Sequence, residues 1–169
     1  CGPVRHLPFP LVMHSYRLRP ASDSDTPMLL AIYTSTRQEE VAQTGWPQGQ
    51  QDAFLAMQAK AQHEHYLLHY PEVERHLIEL SGETAGRLYL SDWEQEIRIV
   101  DIALLPAFRG SGLGSQVLAA LQARARRAGK PLTIHVETNN PARRLYERLG
   151  FVEQADKGVY LLMRWQPDD

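Results

Sequence analysis

Three things are scarce in this 169-residue chain. There is one cysteine, Cys1, so an intrachain disulfide is excluded. That economy suits a reducing compartment, and a cytoplasmic location is expected. No apolar run approaches the ~20 residues that cross a bilayer, so no spanning segment is expected. Net charge is nearly absent: 18 Lys and Arg against 20 Asp and Glu leave a formal charge of −2. That removes a general attraction to nucleic acid or to an anionic membrane, and neither is expected as a partner. What remains is 43% apolar and 22% charged, the balance of a globular chain with one real core. Residues 1–12, "CGPVRHLPFPLV", are Pro-rich and lack the apolar stretch of a signal peptide, so they read as an arm. Residues 13–169 read as a single domain.

Periodicity sets the order of elements. "MHSYRLRPAS" (13–22) alternates and breaks at Pro20, predicting a strand. Asp and Ser caps followed by Met28, Leu29, Ile32 and Tyr33 predict a helix over 24–36. A longer helix over 46–70 carries Phe54, Leu55, Met57 and Ala61 on one face. Residues 74–80, 81–85 and 86–93 read as strand, turn and strand. A strand over 96–105, a helix over 112–128, a strand over 132–137, a helix over 141–149 and a strand over 159–165 complete a β-α-α-β-β-β-α-β-α-β order. Within 96–105 the apolar positions change phase from Ile97 and Ile99 to Val100, Ile102 and Leu104. A strand changes face only with an extra residue, so a bulge is expected near Asp101.

Between that strand and the next helix stands "LLPAFRGSGLGSQVLAAL" (104–121), with Gly110, Gly112 and Gly114 at alternate positions. Alternating glycines cost backbone entropy and pack nothing. A Gly-rich turn from strand to helix is, however, an anion cradle: loop and first-turn N–H groups point one way, and the helix dipole adds to them. Arg109 adds a cation at the rim. A P-loop would need a Lys after its last glycine, and none follows. A GxGxxG dinucleotide fingerprint would need a third glycine where Ser115 stands. A turn that binds nothing is the competing reading.

Read from Arg109, the loop is Arg-x-x-Gly-x-Gly, through Gly112 and Gly114. It resembles the acetyl-CoA loop of the GNAT N-acetyltransferase superfamily. Further on, "NNPARRLYERLGF" (139–151) resembles that family's Asn…Ala…Leu-Tyr…Leu-Gly-Phe segment. The resemblance spans about residues 86–165, and over 13–85 it rests only on the order of elements.

The resemblance implies an α/β fold: a twisted, mixed and mostly antiparallel sheet of six to seven strands, helices on both faces, and a splay between the two central strands. It implies acetyl-CoA as cosubstrate, no metal, and direct attack by a primary amine of a small molecule or peptide, in a monomer or homodimer. Backbone groups of Ala103, Leu104 and Leu105 would meet the pantetheine arm. The N–H groups of Arg109, Gly110, Ser111, Gly112, Leu113, Gly114 and Ser115 would hold the pyrophosphate. Asn139 or Asn140 would lie near the pantetheine, close to Ala142. Asn139 fits the usual spacing to the tyrosine, whereas Asn140 is the better helix cap before Pro141. Tyr146 would be the general acid that protonates the leaving thiolate. From the helix alone, Tyr146 could equally be core, on a stripe with Ala142, Leu145 and Leu149. The base stays open among Glu96, Asp101 and Glu137, because Arg98 stands where the family often has a Glu. A non-catalytic acyl-CoA sensor is the alternative function.

Other signals carry less. His63, His65 and His69 read as solvent-facing or pocket-lining rather than as metal ligands, and "RARRAGK" (124–130) as a solvated helix face. Trp46, Tyr66, Tyr70 and the histidines could line an acceptor pocket or pack the core.

Overall fold

A computed structural model describes residues 14–168; the arm at 1–12 lies outside the described residues. The strands are β1 (Tyr16–Pro20), β2 (Glu74–Leu80), β3 (Glu83–Asp92), β4 (Ile97–Leu104), β5 (Leu132–Glu137), β6 (Val152–Asp156) and β7 (Tyr160–Trp165). The helices are α1 (Thr26–Ala42), α2 (Gln48–His69), α3 (Leu113–Ala128) and α4 (Arg143–Arg148). One seven-stranded sheet runs β1-β2-β3-β4-β5-β7-β6, and every neighbouring pair is antiparallel except β4 and β5. This is the mixed α/β sheet expected from the sequence.

The elements depart from the sequence reading in several places. The first strand shrinks to Tyr16–Pro20. The turn expected over 81–85 is only Ser81-Gly82, both at positive φ, which suits the twist of a two-residue hairpin. The first helix runs on to Ala42 instead of stopping at 36. Ser35 and Thr36 look like a stop, but their hydroxyls donate back to the Ile32 and Tyr33 carbonyls at 2.6 Å each, which keeps them helical. β6 was not foreseen, because "VEQAD" is an edge strand with four of its five residues exposed and no apolar alternation.

Two hydrophobic clusters flank the sheet. The larger joins Leu88, Leu90, Ile97, Ile99, Ile134 and Met163 to α3 through Leu113, Val117, Leu118, Leu121 and Ala125. The i, i+4, i+8 spacing of that α3 stripe follows from the helical period. The smaller joins Leu29 and Ile32 of α1 to Leu77 and Tyr89 on the opposite face.

Two irregularities open the sheet in the middle. Leu90 pairs with Ile99 and Tyr89 with Asp101, so Val100 is the extra residue of a bulge, beside the position expected from the phase shift. β4 and β5 then stay in register only from Ile97/Leu132 to Ile99/Ile134, although both strands continue. Beyond Ile99 the two central strands separate.

Candidate active site

The separation of β4 and β5 leaves a cleft of about 880 Å³, lined among others by Tyr33, Arg37, Tyr66, Asp101, His135 and Tyr146. Some wall residues come from α1 and α2 and others from α4, so the cleft is reached from both faces of the sheet.

The glycine loop lies at the end of β4. Arg109, Gly110, Ser111 and Gly112 are exposed, while Leu113 plugs the core and fixes the start of α3. Gly110 (φ 74°) and Gly112 (φ 87°) occupy the left-handed region, where side chains are strained. Gly114 differs: a Cβ there would meet only Leu104 Cδ1, at an ordinary 3.7 Å. Among the described residues, the N–H groups from Gly110 to Ser115 have no backbone acceptor. They form the donor set that the anion cradle requires. The Arg109 guanidinium, expected at the rim, turns back instead. Its Nε donates to the Leu104 carbonyl at 2.9 Å, bracing the loop onto β4.

β4 carries the backbone groups expected to meet an extended ligand, with a correction of register. The Leu105 N–H donates to the Ala85 carbonyl at 2.7 Å, so that group faces β3. By strand alternation Ala103 faces β3 too, and the groups of Ile102 and Leu104 face the gap. A residue absent from the sequence reading makes this close approach possible. A Cβ on Gly86 would stand 2.2 Å from the Ala103 carbonyl oxygen.

The helix after β5 begins at Arg143 rather than at 141, and Asn140 shapes the turn that leads into it. The Asn140 Oδ1 accepts the Ala142 N–H at 2.9 Å, and its carbonyl accepts Arg143 N–H at 3.1 Å. The Asn140 side chain is therefore held in the turn before α4, and Asn139 and Asn140 both line the cleft. Gly150 (φ 95°) closes α4 with Phe151 N–H on the Tyr146 carbonyl at 3.0 Å and Gly150 N–H on the Glu147 carbonyl at 3.0 Å. That cap brings Phe151 edge-on to Tyr146, with ring centroids 5.7 Å apart. Tyr146 is 6% exposed and borders the cleft, so it is core and cleft wall at once. Burial first, and the Asp101 charge second, push its phenol up to about 12.

The three carboxylates separate. Glu96 leaves the site altogether: it sits before β4, accepts from the Thr133 hydroxyl and from Arg98 at 3.3 Å, and lines a small pocket away from the cleft. Asp101 and Glu137 do border the cleft, but each is held by an arginine. Asp101 accepts from Arg87 Nε at 2.6 Å, and Glu137 from Arg37 at 2.6 Å. Arg87 is 2% exposed and also donates to the Leu29 carbonyl at 3.0 Å and to Gln62 at 2.8 Å. Burial opposes its charge, yet the net effect of Asp101 and its neighbours keeps that guanidinium above its ordinary value. Sequence reasoning missed Arg87; the available signal was an arginine inside an apolar strand, facing an aspartate on the next one. It also missed His135, which shares one face of β5 with Thr133 and Glu137.

Tyr66, Tyr70 and His65 line the α2 side of the cleft, while Trp46 packs edge-on against Phe54 outside it. Burial raises the Tyr66 phenol beyond its ordinary range. No group of metal ligands forms among the described residues, and no described helix is long and apolar enough to cross a membrane. The basic 124–130 segment is tied down, with Arg124 on Glu74 (2.8 Å) and Lys130 on Asp92 (2.8 Å).

Known proteins share this architecture. The PaiA N-acetyltransferase of Thermoplasma acidophilum, solved with coenzyme A, superposes with a TM-score of 0.68 over 90% of this chain and 99% of that one, at 13% identity. A GNAT family acetyltransferase of Elizabethkingia anophelis, solved with acetyl-CoA bound, gives 0.60 over 89% and 97%, at 17% identity. In sequence, the uncharacterized N-acetyltransferase YycN of Bacillus subtilis is 45% identical over 62 residues, which is 36% of this chain and 40% of that protein. A profile of the acetyltransferase (GNAT) family matches residues 29–151, from α1 through the glycine loop to the Phe151 that caps α4. The span that builds the splay and the glycine loop is therefore the span the family shares, and this chain belongs to the acetyltransferase (GNAT) family.

Proposed function

We propose that the chain is an N-acetyltransferase that moves the acetyl group of acetyl-CoA onto a primary amine by direct attack in a ternary complex. The observation that carries this reading is the run of N–H groups from Gly110 to Ser115 that have no backbone acceptor among the described residues, at the open end of β4 and leading into the cleft that Tyr146 borders. The pyrophosphate would lie on those N–H groups and the pantetheine along the gap-facing groups of Ile102 and Leu104.

The chemistry follows from that placement. The amine nitrogen attacks the thioester carbon, and the carbonyl electron pair moves to oxygen. When the carbonyl re-forms, the carbon–sulfur bond breaks and the thiolate takes the Tyr146 phenolic proton. A phenol held near 12 is fully protonated at neutral pH but is a weaker acid than a thiol at ~8.5. It therefore first hydrogen-bonds the departing sulfur, and its proton passes as the amine's proton, relayed through water, replaces it. The amine enters from the α1–α2 side, past Tyr33, Tyr66 and Tyr70. Asp101 and Glu137, both paired with arginine, hold the walls in place rather than take the amine proton. That proton leaves with water, or the amine arrives unprotonated.

The test is thiol release from acetyl-CoA over a panel of primary amines. Amine-dependent release, with N-acetyl product in equal amount, supports the reading. Acetyl-CoA binding with no turnover on any amine would favour an acyl-CoA sensor.

A further inference from the structure

Arg98 stands on β4 where the resemblance led to a glutamate, and it is 9% exposed. Its guanidinium is fully engaged: Nε donates to Thr133 Oγ1 at 2.7 Å, one terminal nitrogen to His135 Nδ1 at 3.1 Å, and the other to Glu96 at 3.3 Å. Its flat face lies 5.1 Å from the Trp93 ring centroid. A guanidinium has donors and no lone pair, so Nδ1 of His135 must be the acceptor. The ring proton is then on Nε2.

The position of His135 gives that proton a purpose. Ile134 is the last β5 residue in register with β4, and His135 is the next. It borders the cleft at the fork, across from the Val100 bulge. Its face of β5 also carries Glu137, which reaches Arg37 of α1, so the imidazole lies on the α1 side. The charged groups around it are Arg98, with Glu96 behind, Lys157 from the turn before β7, and the Glu137–Arg37 pair. Burial, and Arg98 after it, hold the imidazole below its ordinary value, so it stays neutral.

We propose that Arg98 locks His135 as the neutral Nε2–H tautomer and that this N–H donates a hydrogen bond to the thioester carbonyl oxygen at the fork. The assignment rests on the acetyl-CoA reading above. His135 is then a catalytic residue and not the base: no proton leaves it, and the bond strengthens as the attacked carbonyl becomes an oxyanion. Arg98 is a positioning residue, acting through the imidazole.

Two measurements test this. In the wild-type chain with isotope-labelled histidine, long-range nitrogen–proton correlation should show His135 neutral, with its proton on Nε2, at about pH 6.5, the ordinary midpoint of an imidazole. Arg98→Met should move the ring's midpoint upward, with burial still holding it below the ordinary value, and let the ring sample both tautomers. An Nδ1–H ring, or one half protonated at that pH in the wild type, overturns the proposal without any variant having to fold. The second measurement binds acetyl-CoA labelled at the carbonyl carbon. The bound carbonyl resonance should move in the direction of a stronger hydrogen bond. His135→Leu should remove that shift and cut the preference for acetyl-CoA over CoA by about two- to tenfold, one neutral hydrogen bond's worth. His135→Gln, which keeps an N–H donor, should recover part of both. Binding with a carbonyl shift indifferent to His135→Leu overturns this assignment alone. Failure of wild-type chain to bind acetyl-CoA overturns the cofactor reading as well.

Discussion

Asp101→Ala separates a wall residue from a catalytic base. The carboxylate is the only anionic partner of Arg87 among the described residues, and Arg87 is 2% exposed. Removing one member of a buried pair typically costs ~3–5 kcal/mol, because the other charge is stranded. Arg87 would keep the Leu29 carbonyl, the Gln62 oxygen and the Tyr89 ring face at 4.7 Å. Asp101 itself is 22% exposed on its side chain. Both points favour the low end, about 3 kcal/mol, which for a chain of this size is a fall of roughly 6–12 °C in melting temperature. Asp101→Asn keeps an oxygen for Arg87 and should lose less. Replacing both partners, as in Arg87→Leu with Asp101→Ala, should recover much of the loss, since a well-packed apolar pair avoids burying a charge. Thermal and urea unfolding read all four proteins. If Asp101→Ala melts with the wild type, and its turnover collapses but returns as pH rises, then Asp101 is the base and the buried-pair reasoning fails.

Other outcomes follow from the same geometry. Tyr146→Phe keeps the ring against Phe151, so melting should hardly change while the maximal rate falls by roughly 10²–10⁴-fold; equal turnover would remove the phenol from the mechanism. The sign of the Tyr146 shift sets an alkaline window. The folded phenol resists ionisation until about 12 while the unfolded one ionises near 10. The phenol therefore leaves stability unaffected below 10, and the folded state loses up to about 3 kcal/mol relative to the unfolded one as pH rises from 10 to 12. An ultraviolet difference titration of wild type against Tyr146→Phe should show no phenolate signal at pH 10. Gly86→Ala drives a methyl into the Ala103 carbonyl, so it should destabilise the β3–β4 pair by about 1–3 kcal/mol and weaken acetyl-CoA binding; neutral behaviour in both would show that the strands can part freely. Arg109→Ala should weaken acetyl-CoA binding less than a side chain placed in the loop does, because its guanidinium braces Leu104.

Much of this site was legible before the fold was known, because its parts are set by local backbone chemistry. Glycines at positive φ, the Asn140 turn before α4, a stop at Gly150 and a phase change near Asp101 all leave marks in the sequence. The carboxylates did not, since what they do depends on partners far along the chain: Arg87 lies 14 residues from Asp101, and Arg37 lies 100 from Glu137. Glu96 looked plausible by proximity in sequence, yet the splay opens toward the far end of β4. β6 was invisible because a solvated edge strand carries no apolar alternation.

Calorimetric titration of acetyl-CoA into the wild-type chain and into Gly112→Asp tests the backbone cradle most directly. A Cβ at Gly112 meets nothing within 4 Å, and an anion at the start of α3 suits the dipole, which offsets the strain of φ 87°, so the fold should hold. The added carboxylate would lie where the pyrophosphate binds, and affinity should fall at least about tenfold, or 1.4 kcal/mol. Equal affinity in a folded Gly112→Asp protein would contradict the cradle.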